Sequence, residues 1–126
     1  MFNHVMVGSE DLEKAKTFYD ATLTALGQRE GLVDVKGRVF YLSKSGSFGI
    51  TRPINGEPTS VANGSTIGFL AESEEAVNAW HEAGLANGGT AIEDPPGIRK
   101  GVSMALYIAY LRDPDGHKIC AVYRTD

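Results

Sequence analysis

Cysteine is nearly absent from this chain. Cys120 is the only one in 126 residues, so no internal disulfide can form and a disulfide-stapled scaffold is excluded. The same scarcity suits a reducing compartment, and a cytoplasmic location is expected. Basic residues are also in short supply, 12 Lys and Arg against 16 Asp and Glu, for a net charge of −4. That leaves nothing to form the positive stripe a nucleic-acid backbone or an acidic membrane surface requires, so neither is an expected partner. Long apolar runs are missing too. The longest, Met104 to Leu111, is far short of the ~20 residues that span a bilayer. The opening Met1-Phe2-Asn3-His4 lacks the basic-then-apolar order of a secretory leader, and none is expected. No Gly-rich phosphate loop, nucleophile elbow, HExxH or CxxC pattern occurs.

Apolar patterning and glycine are plentiful. With 42% hydrophobic and 22% charged residues the chain can bury a core, and 15 glycines predict many tight turns or close backbone approaches. Asn3 to Val7 reads as a short strand. After Glu10 and Asp11, the residues Leu12, Ala15, Phe18, Tyr19, Leu23 and Leu26 recur at helical spacing up to Gly27. From Glu30 to Arg52 the period changes to two, giving three strands joined by hairpin turns, and Pro53 stops the last one. Pro53 to Gly64 reads as a linker. A strand at Thr66 to Leu70 and a helix capped by Ser73 follow, with Val77, Trp80 and Leu85 on its apolar side. Ala91-Ile92 is a short strand candidate, Pro95 to Gly101 a loop, and Ser103 to Arg112 with His117 to Arg124 a hairpin about Asp113-Pro114-Asp115-Gly116.

The order β-α-β-β-β therefore occurs twice, in residues 1–53 and 65–126 with a linker at 54–64. An offset of 62 places Val5 on Ile67, Phe18 on Trp80 and Gly27 on Gly89. After the longer loop an offset of 69 sets Tyr41-Leu42 on Tyr110-Leu111, and one more residue in the second hairpin sets Ile50 on Cys120. Such a duplication means two copies of a unit that cannot bury its sheet face alone.

His4-Val5, Asp11-Leu12, Phe18-Tyr19, Gly88-Gly89, Pro96-Gly97-Ile98-Arg99 and the stretch Tyr107 to Ile119 together resemble the vicinal-oxygen-chelate superfamily, which includes glyoxalase I, bleomycin-resistance proteins and extradiol dioxygenases. The resemblance covers nearly the whole chain as one glyoxalase-like domain. It implies an α+β fold in which the two modules form a curved mixed-sheet cup with helices on its outer face, and a homodimer. In metal-dependent relatives the ligands sit on the first and last strands of each module. Carried over by position these are His4, Ile50 (or Gly49), Thr66 and Cys120, and only His4 keeps the residue type expected there. Catalytic metal sites usually take three protein ligands, so no cofactor is expected. A divalent metal is disfavoured, with His4 as its candidate ligand and Cys120 as the only partner.

Strand alternation then proposes a pocket lining. With His4, Thr66 and Cys120 inward, Met6, Gly68 and Val122 follow, as do Arg38, Phe40 and Leu42 on one third strand and Tyr107, Ala109 and Leu111 on the other; Phe48 and Arg52 share a face with Ile50. Phe40, Phe48 and Tyr107 are the apolar contacts, Arg52 and Arg99 the anion clamps, and Thr66 and Cys120 polar groups near the centre. Cys120 reads first as a small buried apolar residue, and for His4 a hydrogen-bonded structural role stands beside the functional one. Two functions stay open. One is a lyase- or isomerase-like enzyme on a small carbonyl or carboxylate compound, with a degenerate metal site and His4 and Tyr107 as acid and base. The alternative is a non-catalytic protein that sequesters an antibiotic-type small molecule.

Overall fold

Asp11 and Ser73 begin two helices by the same device. Each has extended backbone, with φ of −136° and −161°, and its side chain accepts a hydrogen bond from the N–H of Lys14 or Ala76 three residues on. The helices α1 (Leu12–Thr24) and α2 (Glu74–Ala86) correspond residue for residue at the offset of 62. Both end in a left-handed glycine, Gly27 and Gly88, after which Gln28 and Gly89 donate back to Leu23 and Gly84.

The computed structural model describes residues 1–125. In it β1 (His4–Gly8) pairs in parallel with β4 (Gly46–Thr51), which pairs antiparallel with β3 (Val39–Ser43), and β2 (Leu32–Val33) closes the row. The second module repeats this with β5 (Ile67–Leu70), β9 (Lys118–Arg124), β8 (Ala105–Arg112) and β6 (Thr90–Ala91). One strand is extra. β7 (Gly97–Lys100) pairs with β8 where a loop was expected. The fold is thus α+β with two βαβββ-type modules.

Within the chain the expected continuous cup is two sheets. Among the described residues no strand of one is hydrogen-bonded to a strand of the other. The modules meet through α1 against α2, and the core runs across the junction. Tyr19 packs against Phe48 at 4.8 Å between ring centroids with the rings tilted by 53°, and Phe48 meets Phe69 of the second module edge-on at 5.2 Å. Such pairs add about 0.5–1.5 kcal/mol beyond area burial. Gly84 permits the close helix approach, since a Cβ there would collide with Leu111 and lie 3.3 Å from Phe18. Two polar contacts pin the same junction. The Tyr19 hydroxyl donates to Asp113 Oδ2 at 2.5 Å, and His117 Nε2 donates to the carbonyl of Gly8 at 2.7 Å.

Candidate functional site

Residues directly opposite one another on paired strands point to the same face, so the register sorts the side chains. In the first sheet Val39, Tyr41, Phe48 and Ile50 are buried under the helices. The opposite, concave face carries His4, Met6, Phe40, Leu42 and Gly49. In the second sheet Ala109, Leu111, Ile119 and Ala121 are core, and the concave face carries Gly68, Leu70, Ile108, Tyr110, Cys120 and Val122. The pairs Phe40–Gly49 and Tyr110–Cys120 are equivalent, as are Met6–Gly49 and Gly68–Cys120. The working offset is therefore 70 on β3 and β8, and 71 on β4 and β9. The expectation of 69 and 70 was one residue short on each strand.

That single residue relocates part of the expected site, because a one-residue slip exchanges the two faces of a strand. Tyr107, Ala109 and Leu111 lie on the helix side, and the Tyr107 hydroxyl donates to Asn78 of α2 at 2.8 Å. Tyr107 and His4 are thus on opposite sides of their sheets and do not form an acid–base pair. Phe48 is likewise buried, against Tyr19, rather than facing the concave side, and the position matching Cys120 is Gly49, not Ile50. Arg52 lies beyond the end of β4, where its guanidinium donates to the carbonyl of Glu10 at 3.2 Å. Arg99 belongs to β7, not to a loop, and its guanidinium is spent on the carbonyls of Asp94, Pro95 and Gly97. His4, Phe40 and Cys120 lie on concave faces, and Thr66 immediately precedes β5 at the end of the linker.

His4 is exposed, with Nδ1 2.7 Å from Asn3 Oδ1. Cys120 is buried, and that burial pushes its thiol up to about 11, so it is a neutral thiol at pH 7. Three residues absent from the expected site stand near it. Lys118 Nζ sits 4.8 Å above the Tyr110 ring and forms an ion pair with Glu93. Glu93 holds Lys118 in its charged form, while burial, with Cys120 and Glu93 nearby, raises the Tyr110 phenol. Glu93 is also the single non-glycine residue among those described with a left-handed backbone, φ 59°. The correct offset would have revealed Tyr110 as the partner of Phe40. No local pattern announces the approach of Glu93 to Lys118, which depends on how the chain leaves β6.

A cleft of about 370 Å³ opens where the free edges of β1 and β5 approach the end of α1. His4, Gly68 and Leu70 reach it from the concave faces, and Leu23, Phe48 and Phe69 form its apolar floor. It therefore unites His4 and Phe48 of the expected set. Its volume and mixed lining are those of a small-molecule site. The residues do not fit a divalent metal. The four carried-over positions offer His4, Gly49, Thr66 and Cys120, and among the described residues no three of His, Cys, Asp and Glu come together. Among the described residues no helix is long and apolar enough to cross a membrane.

The Glyoxalase family model, which describes the glyoxalase/bleomycin resistance protein/dioxygenase superfamily, matches residues 1–121. A glyoxalase/bleomycin resistance protein from Albidiferax ferrireducens is 58% identical in sequence; the match covers 98% of this chain and 99% of that one, at a TM-score of 0.95. Two more distant structures share the fold. A family enzyme from Burkholderia phytofirmans is 16% identical, covers 97% of each chain and has a TM-score of 0.72. Lactoylglutathione lyase from Agrobacterium tumefaciens is 20% identical over 96% of this chain and 91% of that one, with a TM-score of 0.65. No curated protein matches the sequence.

Proposed function

Because the chain belongs to the glyoxalase/bleomycin resistance protein/dioxygenase superfamily, we propose that it binds and sequesters a small, partly apolar molecule bearing a carbonyl or carboxylate, without a resident divalent metal. The observation that carries this reading is the cleft between the sheet edges, with its aromatic and aliphatic floor, its His4 rim and its open side at Gly68. The apolar part of the ligand packs on Phe48, Phe69 and Leu23, and its polar end meets His4. The metal-free part of the reading is supported by the donor set, which falls short of three ligands. The neutral Cys120 thiol beside Gly68 adds a small soft contact rather than an anion.

One observation favours the lyase- or isomerase-like alternative. A carboxylate, an ammonium and a phenol meet at Glu93, Lys118 and Tyr110, a set able to take a proton from carbon and stabilise the resulting oxyanion. The assembly is a homodimer in the cytoplasm. The exposed Leu32 and Leu42 on the concave face of the first module support pairing with a second copy. Light scattering at micromolar concentration should give twice the chain mass; a monomer would remove this part.

A thermal-shift screen of carboxylates, aromatic metabolites, thiol conjugates and antibiotics tests the ligand class, since a molecule bound only to the native state raises Tm. Sequestration predicts hits that bind without turnover and weaken in His4→Ala and Phe48→Ala. Turnover that is lost in Glu93→Gln and survives a chelator would put the enzyme first. Hits that respond to neither His4 nor Phe48 would place the ligand elsewhere.

A further inference from the structure

The expected anion clamps, Arg52 and Arg99, are both engaged with backbone carbonyls. Cationic charge gathers in another place. Arg112 and Lys118 are directly opposite one another at the start of the β8–β9 hairpin, an arrangement of like charges that costs stability unless something offsets it. Glu93 neutralises Lys118, but among the described residues Arg112 has no carboxylate partner. Its Nη1 donates to the carbonyl of Gly116 at 2.8 Å, which fixes the guanidinium in place, and among the described residues its other N–H groups have no side-chain or backbone acceptor. Both cations line a cavity of about 450 Å³ whose opposite wall is the end of the linker. That wall includes Asn63, Ser65 and Thr66, whose side chains make no hydrogen bond to another described residue. Among the described residues no carboxylate lines the cavity, in a chain where acids outnumber bases.

We infer that this cavity is a binding site for a phosphoryl group, held by the Arg112 fork, with Lys118 shared between the anion and Glu93, on one side and by Asn63, Ser65 and Thr66 on the other. A guanidinium offers two parallel N–H bonds to an oxyanion, and an ammonium adds a point charge. The three linker side chains bring further donors, more than the two oxygens of a carboxylate readily accept and well matched to the oxygens of a phosphate. The site extends the small-molecule reading above by giving a ligand's anionic end a place, yet its test does not depend on that reading.

The test is a titration with inorganic phosphate at constant ionic strength, followed by calorimetry and by backbone amide shifts, with phenyl phosphate and acetate as further arms. Phosphate is expected to shift the amides of residues 63–66 and 112–118 and to bind at least fivefold more tightly than acetate. Arg112→Gln should weaken it at least tenfold, and Arg112→Lys, which keeps the charge and loses the fork, by an intermediate amount; Lys118→Gln reports independently should Arg112→Gln fold poorly. Phenyl phosphate binding more tightly than phosphate would assign the site to a phosphate monoester, and equal affinity to the free ion. Unchanged affinity in Arg112→Gln and Lys118→Gln, shifts confined to other residues, or no preference over acetate would overturn the inference. A phosphate response that survives Gly68→Met, while the screen above yields no ligand, would leave this site standing and remove the cleft.

Discussion

The two modules place opposite residues at equivalent points of their concave faces. In the first, Met6 lies over Gly49, so closely that a Cβ on Gly49 would collide with its sulfur and stand 3.1 Å from the Phe40 ring. In the second the same two positions are exchanged in size, with Gly68 beside Cys120, and a Cβ on Gly68 would meet only the Cys120 sulfur at 3.2 Å and Val122 at 3.7 Å. The first face is filled by its own thioether, and the second is left open. Charge follows the same division. Arg38 lies over Phe40 but is bound to Asp34 of its own turn, whereas Lys118 over Tyr110 draws in Glu93 from another part of the module. A duplicated unit has thus kept its frame in both copies and opened its inner surface in one.

The largest expected effect comes from abolishing that difference. Gly68→Met should fill the second face as Met6 fills the first and weaken any cleft ligand about a hundredfold, roughly 2.7 kcal/mol, by calorimetry; full affinity in a folded Gly68→Met protein would show that the open face is irrelevant to binding. Next, Tyr19→Phe removes the donor to a buried carboxylate that joins the modules. It should lower unfolding free energy by about 1–3 kcal/mol in urea, and a loss below a few tenths would mean that water replaces the hydroxyl.

Met6→Ala should cost about 1–2 kcal/mol, less than a fully enclosed methionine, because Met6 is half-buried. It should leave ligand affinity unchanged, and a gain in affinity would show that the first face can be opened as well. A pH effect follows from Asp113. Burial raises its carboxyl above the ordinary value, against the opposing bonds from Tyr19, His117 and Asp115. The native state therefore favours the protonated form. This contribution is full below the unfolded pKa near 3.9 and is lost as pH rises through the higher folded value. Asp113→Asn should remove that slope, and identical stability-against-pH curves for the two proteins would refute the assignment. The smallest effect belongs to Arg99→Ala, within about 0.5 kcal/mol of stability and without change in ligand affinity; a large loss of affinity would return Arg99 to the site.

Most of the frame was legible in the sequence because it rests on local rules. Capping side chains and helical periodicity located α1 and α2, and alternation with turn residues located the hairpins. The concave lining was only half legible, because it depends on parity, and parity depends on counting residues through turns. The first module gave the correct face for Phe40 and Leu42 and the wrong one for Phe48, which shares its face with Ile50 rather than with Gly49. The second was read through its alignment with the first, and one uncounted residue turned Tyr107 inward and Tyr110 outward. Strand β7 escaped for a different reason. Gly97-Ile98-Arg99-Lys100 follows two prolines and alternates too briefly to declare itself, and it is a strand because β8 offers an edge. The Lys118–Glu93 pair was beyond reach, since it depends on the path of the chain between β6 and β7.

The bond from Tyr19 to Asp113 spans 94 positions of the chain, and that separation has a consequence for synthesis. When residue 51 has left the ribosome, β1, β3 and β4 can already pair, and α1 can lie on them. The outer side of Tyr19 then still waits for Phe69 and, much later, for the hairpin at Asp113. At ~5–20 residues per second this leaves an aromatic surface uncovered for several seconds in every nascent chain. A chain stalled after residue 64 should bind a hydrophobic dye, and one released at full length should not.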